Sequence, residues 1–438
     1  MLHPLKEMIE QRKTGKACGI PSYCSANELV IEALLEQAKK TNRPVLIEAT
    51  ANQVNQFGGY TGMLPADFCE FVFDIAKRCG TKKELVILGG DHLGPLTWTD
   101  EPEAIAMEKS EELVRQYVLA GFTKIHLDTS MKVADDAPEG MLSTTTIARR
   151  GARLYKVCIE AFEELKATKP DALRPVFIIG SEVPIPGGAQ EVEDGISVTT
   201  PEDFVDTVST YQRVFAEAVG EVAWADIIGV VVQPGVEFGD AQVFLYDSDK
   251  AKMLCAALRD YPELVLEGHS TDYQTKECLR QMVKDGIAIL KVGPALTFGL
   301  REALFSLSMI EKELVSQEQQ ANFIEVLDQV MVEEPGNWRK HYHGDERALT
   351  LARKYSFSDR CRYYLGNESV VTAIKRLFDN LAQVAIPLNI LHQYMPRQYE
   401  SVKQGAITLN PRELAKDGVM LFVEDYDYAT YVEKIEDK

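Results

Sequence analysis

The chain has 438 residues, 45% of them hydrophobic, which exceeds what one compact core usually holds and predicts a large domain with an extension or second domain. Its 67 acidic against 47 basic residues give a formal net charge of -20 at pH 7, which disfavours nucleic acids and anionic membranes as partners. The N-terminus lacks the apolar segment of a signal peptide, no run of about 18 apolar residues could span a bilayer, and the cysteines show no zinc-ligand spacing. A cytoplasmic protein with reduced thiols is expected.

One unit repeats over the first two thirds of the chain: a short apolar run, a polar or glycine-rich turn, then an amphipathic helical stretch. In chain order the apolar runs cover 17–20, 44–48, 85–89, 124–127, 175–179, 226–232, 264–267 and 287–292. Eight such runs joined by helices are typical of a closed parallel barrel, and no GxGxxG follows the first run as a dinucleotide-binding sheet would require. The sequence therefore predicts an α/β fold, a (β/α)8 TIM barrel over residues 1–316.

After the eighth unit the repeat stops. Residues 317–438 carry mostly helical patterns broken by Pro335, Pro387, Pro396 and Pro411, and the segment YSFSDRCRYYL is dense in aromatic residues and arginine. We expect a mainly helical C-terminal region that packs on the barrel as a cap or an assembly region.

Polar side chains gather where the predicted strands end, which is the face that carries the active site in (β/α)8 barrels. Asp91 and His92 follow the third run, Glu182 follows the fifth and His269 follows the seventh. Imidazole and carboxylate ligands suit zinc, with manganese as an alternative, and three protein ligands leave a position open. We predict a divalent metal held by His92, Glu182 and His269, with Asp91 as a proton-transfer group.

Four other ionisable groups are placed by their positions in the strands. Asp128, at the end of the fourth run, and Glu48, at the end of the second, are predicted as further acid-base groups. We assign His126 and Asp128 to opposite faces of the strand, and His126 is therefore predicted to lie outside the barrel. Glu48 could equally hydrogen-bond sugar hydroxyls or be neutralised by a lysine, for which Lys291 is the candidate, and a Schiff-base role for this lysine is the weaker alternative.

Amide side chains are concentrated in the loop after the second run, where four amides occupy five positions. Such a density suits hydrogen bonding to sugar hydroxyls, and an interface or loop-stiffening role is almost as compatible. The predicted substrate-binding residues are Asn52, Gln53, Gln56, Gln233, Lys291 and Asp272. The glycine pairs at 58–59 and 187–188 are a weaker indication of phosphate binding.

Long motifs in chain order carry a family resemblance. They are IEATANQVNQFGGYTGM, ILGGDHLGP, GFTKIHLDTSM, GSEVPIPGG, VVQPGVEF, EGHSTDYQT, ILKVGPALTF, YSFSDRCRYY and QYMPRQYE. Together they resemble the Z subunit of class II tagatose-1,6-bisphosphate aldolase and its relatives that act as ketose or ketose-phosphate 4-epimerases. The resemblance implies a barrel with a helical C-terminal region and a role in galactitol, N-acetylgalactosamine or tagatose 6-phosphate catabolism.

The resemblance also assigns residues. An Asp-His pair supplies the proton-transfer acid and one metal ligand in the catalytic aldolases, and these fall on Asp91 and His92, with a further metal histidine on His269. The remaining histidine falls on Gln233, a poorer zinc ligand, which implies a site that is lost or rebuilt with Glu182. Asn27 stands where the family pattern has a histidine, and asparagine there can bind a hydroxyl or cap a helix.

Two functions follow from these observations. We favour a metal-dependent 4-epimerase, an isomerase that converts tagatose or tagatose 6-phosphate to the fructose epimer, because a structural barrel would gain stability by losing unpaired buried charges. The alternative is a non-catalytic Z subunit that stabilises and activates a class II tagatose-1,6-bisphosphate aldolase catalytic chain. Gln233 and the name of most relatives favour this alternative, and both functions are compatible with a homo-oligomer.

Overall fold

Eight parallel strands close into a barrel in the computed structural model of the chain. The structure describes residues 2–181, 196–430 and 433–434. The barrel strands are β1 Ile20–Cys24, β2 Val45–Thr50, β3 Val86–Leu93, β4 Lys124–Leu127, β5 Val176–Ile179, β6 Ile227–Val232, β7 Val265–Gly268 and β8 Ile287–Val292. Each strand pairs in parallel with its sequence neighbours, and β8 pairs with β1. The predicted TIM barrel is confirmed.

Helices surround the barrel and form the C-terminal region. They are α1 Pro4–Lys13, α2 Glu28–Thr41, α3 Pro65–Cys79, α4 Glu103–Ala120, α5 Thr144–Thr168, α6 Pro201–Val219, α7 Ser248–Ala257, α8 Lys276–Asp285, α9 Pro294–Leu314, α10 Phe323–Glu333, α11 Glu346–Tyr355, α12 Glu368–Ala382, α13 Leu388–Tyr394, α14 Pro396–Lys403 and α15 Pro411–Thr430. Across the described ranges, none of them combines the length and apolarity that a membrane span needs. The Asn27 side chain caps α2 by accepting from the amides of Leu29 and Val30.

The first barrel strand lies further along the chain than the sequence predicts. Of the run at 17–20, Ala17 belongs to the two-residue strand Lys16–Ala17, which pairs outside the barrel with Glu433–Lys434, and only Ile20 belongs to β1 Ile20–Cys24. Pro21, Ser22 and Cys24 interrupt the apolar pattern that marks the other strands. Because this strand contributes polar side chains, the apolar pattern predicts it too early in the chain, at the nearest apolar run.

The barrel interior has two layers. Its floor is an apolar cluster in which α1 plugs the end of the barrel, and its members include Leu5, Met8, Ile9, Leu46, Val176, Val265 and Ile289. Above the floor is a charged layer, which comprises Glu48, Asp91, Lys124, Asp128, Glu267 and Lys291. Glu48, Glu267 and Lys291 each lie two residues beyond a floor residue on the same strand, so strand alternation points them into the barrel. The floor thus supports a set of ionisable groups at the barrel mouth.

The C-terminal region is fastened to the barrel through α15, which packs along α9 and also on α8 and α2. The backbones of α9 and α15 approach closely at Gly299 and Gly418, where a Cβ on either glycine would lie 2.5 Å from the carbonyl oxygen of the other. Only glycine permits this approach without displacing a helix. The division of the chain into 1–316 and 317–438 stays a prediction.

Gly418→Ala is expected to destabilise the protein by up to about 2 kcal/mol net, because the added methyl group overpacks the α9–α15 contact at a cost of about 1–3 kcal/mol. Helix propensity opposes this loss by about 1 kcal/mol. Gly151→Ala is the matched control, since a Cβ at this helical glycine would lie an ordinary 3.4 Å from Tyr211. Urea unfolding should show Gly151→Ala at least as stable as the wild type, and equal effects of the two substitutions would contradict the close contact.

Candidate functional site

Three histidines face one another at the carboxyl ends of β3, β4 and β7. The ring centroid of His92 lies 5.0 Å from that of His126 and 5.0 Å from that of His269, and the other two centroids are 5.2 Å apart. All three rings are buried, and one ligand atom from each, with one from Asp91, lies within 4.8 Å of the others. We call His92, His126 and His269 the histidine triangle. The arrangement can hold a metal ion.

Each ring of the histidine triangle has a nitrogen within 2.9 Å of a carboxylate, and the second nitrogen of His92, Nε2, also lies 3.4 Å from Asp91 Oδ2. The pairs are His92 Nδ1 with Asp128 Oδ2 at 2.8 Å, His126 Nδ1 with Asp91 Oδ1 at 2.9 Å, and His269 Nε2 with Glu267 Oε1 at 2.9 Å. A ring N–H donated to a carboxylate leaves the opposite nitrogen with its lone pair, which is the arrangement found behind metal ligands. The buried Nε2 of His126 accordingly makes no hydrogen bond within the described residues.

An irregularity in β3 brings two successive residues into the site. The pairing of β3 with β4 shifts register between Gly90 and Leu93, and His92 has a φ of 49°. A regular strand would point Asp91 and His92 to opposite faces, whereas a bulge can redirect one of them. The sequence motif GGDHLGP is thus the end of a strand rather than a loop.

His126 lies inside the barrel, so its predicted position outside was wrong. Residues two apart on a strand share a face, and Lys124, His126 and Asp128 all point inward while Ile125 and Leu127 join the outer core. The same alternation could have identified Lys124, which was not among the predicted site residues. Glu267 was not predicted as a site residue either, although the two-residue spacing of a strand relates it to His269.

The charged layer is joined by two buried lysines. Lys124 Nζ lies 2.8 Å from Glu48 Oε1 and 2.8 Å from Glu267 Oε2. Lys291 Nζ lies 2.7 Å from Glu48 Oε2 and 2.7 Å from Asp91 Oδ2. Lys291 therefore neutralises Glu48, as one of the two sequence interpretations predicted. Burial lowers the pKa of Lys291, but Asp91 and Glu48 outweigh it and raise that pKa well above its usual value, so the amine is not a free nucleophile.

The predicted acid-base groups are held in their charged forms. Burial would raise the pKa of Asp91, but His92 and Lys291 outweigh it and hold the pKa well below its usual value. Burial is likewise outweighed at Asp128, where the hydrogen bond and charge of His92 lower the pKa. The pKa of His92 is raised, because Asp91 and Asp128 overcome its burial. Burial lowers the pKa of His269 to about 4, so this ring is neutral at neutral pH.

A cavity of about 80 Å³ opens above the histidine triangle, and we call it the inner cavity. The structure brings most of the predicted site residues to its wall. They are Asn52, Gln53, Asp91, His92, His269, Asp272 and Lys291. Asp272 Oδ1 accepts hydrogen bonds from the amides of Gly293 and Ala295, and burial raises the pKa of Asp272 to about 6. This carboxylate positions the start of α9.

Two predicted substrate-binding amides do not reach the inner cavity. Gln56 Nε2 donates to the carbonyl of Lys109 on α4 at 2.9 Å, and Gln233 Oε1 accepts from the amides of Gly235 and Val236. Both side chains stabilise backbone, a role that composition does not reveal. The predicted ligand Glu182 and the glycine pair at 187–188 lie outside the described residues.

Glu237 is a buried carboxyl group beside the site whose pKa is raised by burial to about 7. The fold favours its neutral form, so its stabilising contribution is full below about pH 4.5 and is lost as the pH rises through about 7. The stability of Glu237→Gln relative to wild type should therefore increase by about 2 kcal/mol between pH 5 and pH 8. Urea unfolding at both pH values tests this prediction, and Glu139→Gln, at an exposed position, is the control. A stability difference between Glu237→Gln and the wild type that does not change with pH would refute it.

Known proteins resemble the chain along almost its whole length. A family model described as D-tagatose-1,6-bisphosphate aldolase subunit GatZ/KbaZ-like matches residues 5–431. A protein of Salmonella agona named D-tagatose-1,6-bisphosphate aldolase subunit GatZ is 45% identical over 424 residues, which cover 97% of this chain and 98% of that protein. The protein of the same name from Salmonella typhimurium has the same identity and coverage.

A solved structure is similar in both sequence and fold. The crystal structure of a probable tagatose 6 phosphate kinase from Sinorhizobium meliloti 1021 is 43% identical, has a TM-score of 0.85, and is matched over 94% of this chain and 100% of that chain. The names of the Salmonella relatives describe a subunit of an aldolase. The prediction that this chain is a sugar 4-epimerase is therefore wrong, and the expected alternative, an aldolase-associated subunit, fits those names.

Proposed function

The chain belongs to the D-tagatose-1,6-bisphosphate aldolase subunit GatZ/KbaZ-like family, and from this premise we propose that it is the partner subunit of a class II tagatose-1,6-bisphosphate aldolase. In this role it binds the catalytic chain, stabilises it and activates it, in the catabolism of tagatose 6-phosphate. The observation that carries the proposal is the 45% identity to the named GatZ subunit, which extends over 97% of this chain.

The electrostatics of the barrel mouth support a partner role. A general acid or base works best when its pKa lies near the operating pH. The pKa values of Asp91 and Asp128 are instead lowered, and Glu48 is held between Lys124 and Lys291 with a lowered pKa as well. These carboxylates act as fixed charges that hold the lysines and histidines in place.

Reconstitution with a catalytic chain tests the partner role. A class II tagatose-1,6-bisphosphate aldolase catalytic chain is purified alone and mixed with equimolar amounts of this protein, with serum albumin as control. We expect a stoichiometric complex by size-exclusion chromatography with light scattering, a higher Tm of the catalytic chain, and a higher aldolase rate. No complex and no change in the catalytic chain's Tm or rate would exclude the proposal.

We further propose that the histidine triangle binds a divalent metal, with zinc as the ion that imidazole ligands suit best. The residues fit such an ion, because a carboxylate orients one nitrogen of each histidine and the other nitrogen of His126 makes no hydrogen bond within the described residues. The residues that would hold the ion are His92, His126 and His269. When bound, the ion supplies two positive charges and a link between β3, β4 and β7.

The charge of the surrounding layer agrees with a dication. The charged layer contains four carboxylates and two lysines, all buried, so two negative charges are uncompensated when the histidines are neutral. Buried charges are costly unless they are paired or coordinate a metal. A divalent ion at the histidine triangle would balance this excess.

A further inference from the structure

The C-terminal region places one arginine at the edge of the barrel mouth. Arg362 belongs to the short helical turn Arg360–Tyr363, in the aromatic and arginine-rich segment noted in the sequence. Its Nη1 donates to the carbonyls of Ser358 and Asp359, and its Nη2 donates to Tyr363 Oη at 2.9 Å. Within the described residues no carboxylate oxygen lies within 4.0 Å of the guanidinium group, and its Nε makes no hydrogen bond. Its charge is therefore not neutralised by an ion pair.

Arg362 lies between two cavities. It lines the inner cavity, and it also lines a second cavity of about 660 Å³, which we call the outer groove. Tyr60 and Tyr363 line both cavities as well, with ring centroids 4.7 Å apart in an edge contact. The guanidinium group is thus accessible to a ligand in the outer groove at its inner end.

The other positive groups of the inner cavity are already engaged. Lys291 is held between Glu48 and Asp91, and the first amides of α9 donate to Asp272. Among the described residues that line the inner cavity, Arg362 is therefore the cation that lacks a carboxylate partner. A guanidinium group in this position is suited to an oxyanion, which can accept two parallel hydrogen bonds.

The dimensions of the cavities indicate where the rest of a ligand would lie. The inner cavity equals the volume of two or three water molecules at about 30 Å³ each, enough for one phosphate or carboxylate group. The outer groove falls within the range of about 300–1,000 Å³ that is usual for small-molecule sites. One wall is apolar and includes Phe71, Val371, Ile374 and Phe378, so an aromatic or aliphatic body fits there.

Charged groups along the outer groove favour binding of the anionic end at Arg362. Glu28, Glu334 and Asp379 line the groove away from the inner cavity. The nearby Arg412 is engaged by Glu32 and Glu28, and Lys375 is exposed. An anion would be repelled along the acidic part of the groove and attracted to Arg362 at its inner end, where Asp91 is paired with Lys291 and Asp272 accepts from two backbone amides.

We propose that Arg362 and the outer groove form a binding site for a small organic anion, with the phosphate or carboxylate on the guanidinium group and the apolar body against α12. The site is formed by the junction of the barrel and the C-terminal region within one chain. It does not rest on the partner role, because a subunit that failed to bind an aldolase could still bind this ligand.

Fluorescence titration with three naphthalene probes tests the proposal. The probes are 1-naphthyl phosphate, 1-naphthoate and 1-naphthol, which share the aromatic body and differ in the anionic group. We expect the full-length protein to bind at least one of the two anions about tenfold or more tightly than naphthol. The anion that binds more tightly shows whether the site prefers a phosphate or a carboxylate. Equal affinity for all three probes, or no binding, overturns the proposal.

Variants assign the two halves of the site. Arg362→Gln should weaken binding of the preferred anion about tenfold and leave naphthol unchanged, and Arg362→Lys should lie between Arg362→Gln and the wild type. Phe378→Ala should weaken the anion and naphthol equally. Arg347→Gln removes the same charge from an exposed position and should bind as the wild type does. Unchanged anion affinity in Arg362→Gln, with a wild-type Tm, would overturn the assignment.

Discussion

Replacing Lys124 by methionine is expected to destabilise the protein by about 3–5 kcal/mol, the effect of removing one partner from a buried ion-pair network. Lys124 is fully buried, and its ammonium group lies 2.8 Å from both Glu48 and Glu267. Methionine fills a similar volume, so the loss of stability measures the cost of removing the cation that Glu48 and Glu267 share. Urea unfolding followed by far-UV circular dichroism measures the change.

The matched control is Lys252→Met, which removes a lysine from an exposed position on α7. A surface substitution of this kind should change the free energy of unfolding by less than about 0.5 kcal/mol. If Lys124→Met were no more destabilising than Lys252→Met, the ion pairs of the charged layer would contribute nothing to the fold.

His126→Ala is expected to abolish stoichiometric metal binding. Wild-type protein dialysed against zinc should retain about one zinc per chain by elemental analysis, and His126→Ala should bind zinc at least about a hundredfold more weakly in competition with a chelating dye. Loss of a group that only orients a ligand costs about 10–100-fold in affinity, so loss of a ligand should cost no less.

Zinc should also stabilise the wild type by about 2.7 kcal/mol when its concentration is a hundred times the Kd. His392→Ala is the control, because this histidine is exposed on α13, and it should keep both the zinc and the stabilisation. A wild type that binds no zinc, or a His126→Ala variant that binds as tightly, would exclude the histidine triangle as a metal site.

Much of the barrel is visible in the sequence, because strands buried on both faces leave apolar runs between amphipathic helices. The runs at 124–127 and 287–292 coincide with β4 and β8, and only β1 lies largely outside its predicted run. The C-terminal region was recognisable as helical. Its contact with α9 was not, because two glycines far apart in sequence carry no signal that they meet.

The candidate site was predictable where polar residues follow an apolar run of the sequence, as Asp91, His92 and His269 follow the runs at 85–89 and 264–267. It was not predictable where polar residues are part of the strand itself, as for Lys124 and Glu267. Strand alternation relates positions within one strand, but it cannot show which strands face each other across a barrel. The pairing of Glu267 with Lys124 therefore required the closed structure.

The charged layer joins residues that are remote in the chain, since Lys124 on β4 links Glu48 on β2 to Glu267 on β7. Loss of any one member leaves its neighbours buried with one charge partner fewer, so single substitutions are costly while coordinated ones are tolerated. Such a network resists gradual change: a lineage cannot discard it one residue at a time. A barrel that serves as a partner subunit can thus keep a polar interior for the stability of its fold alone.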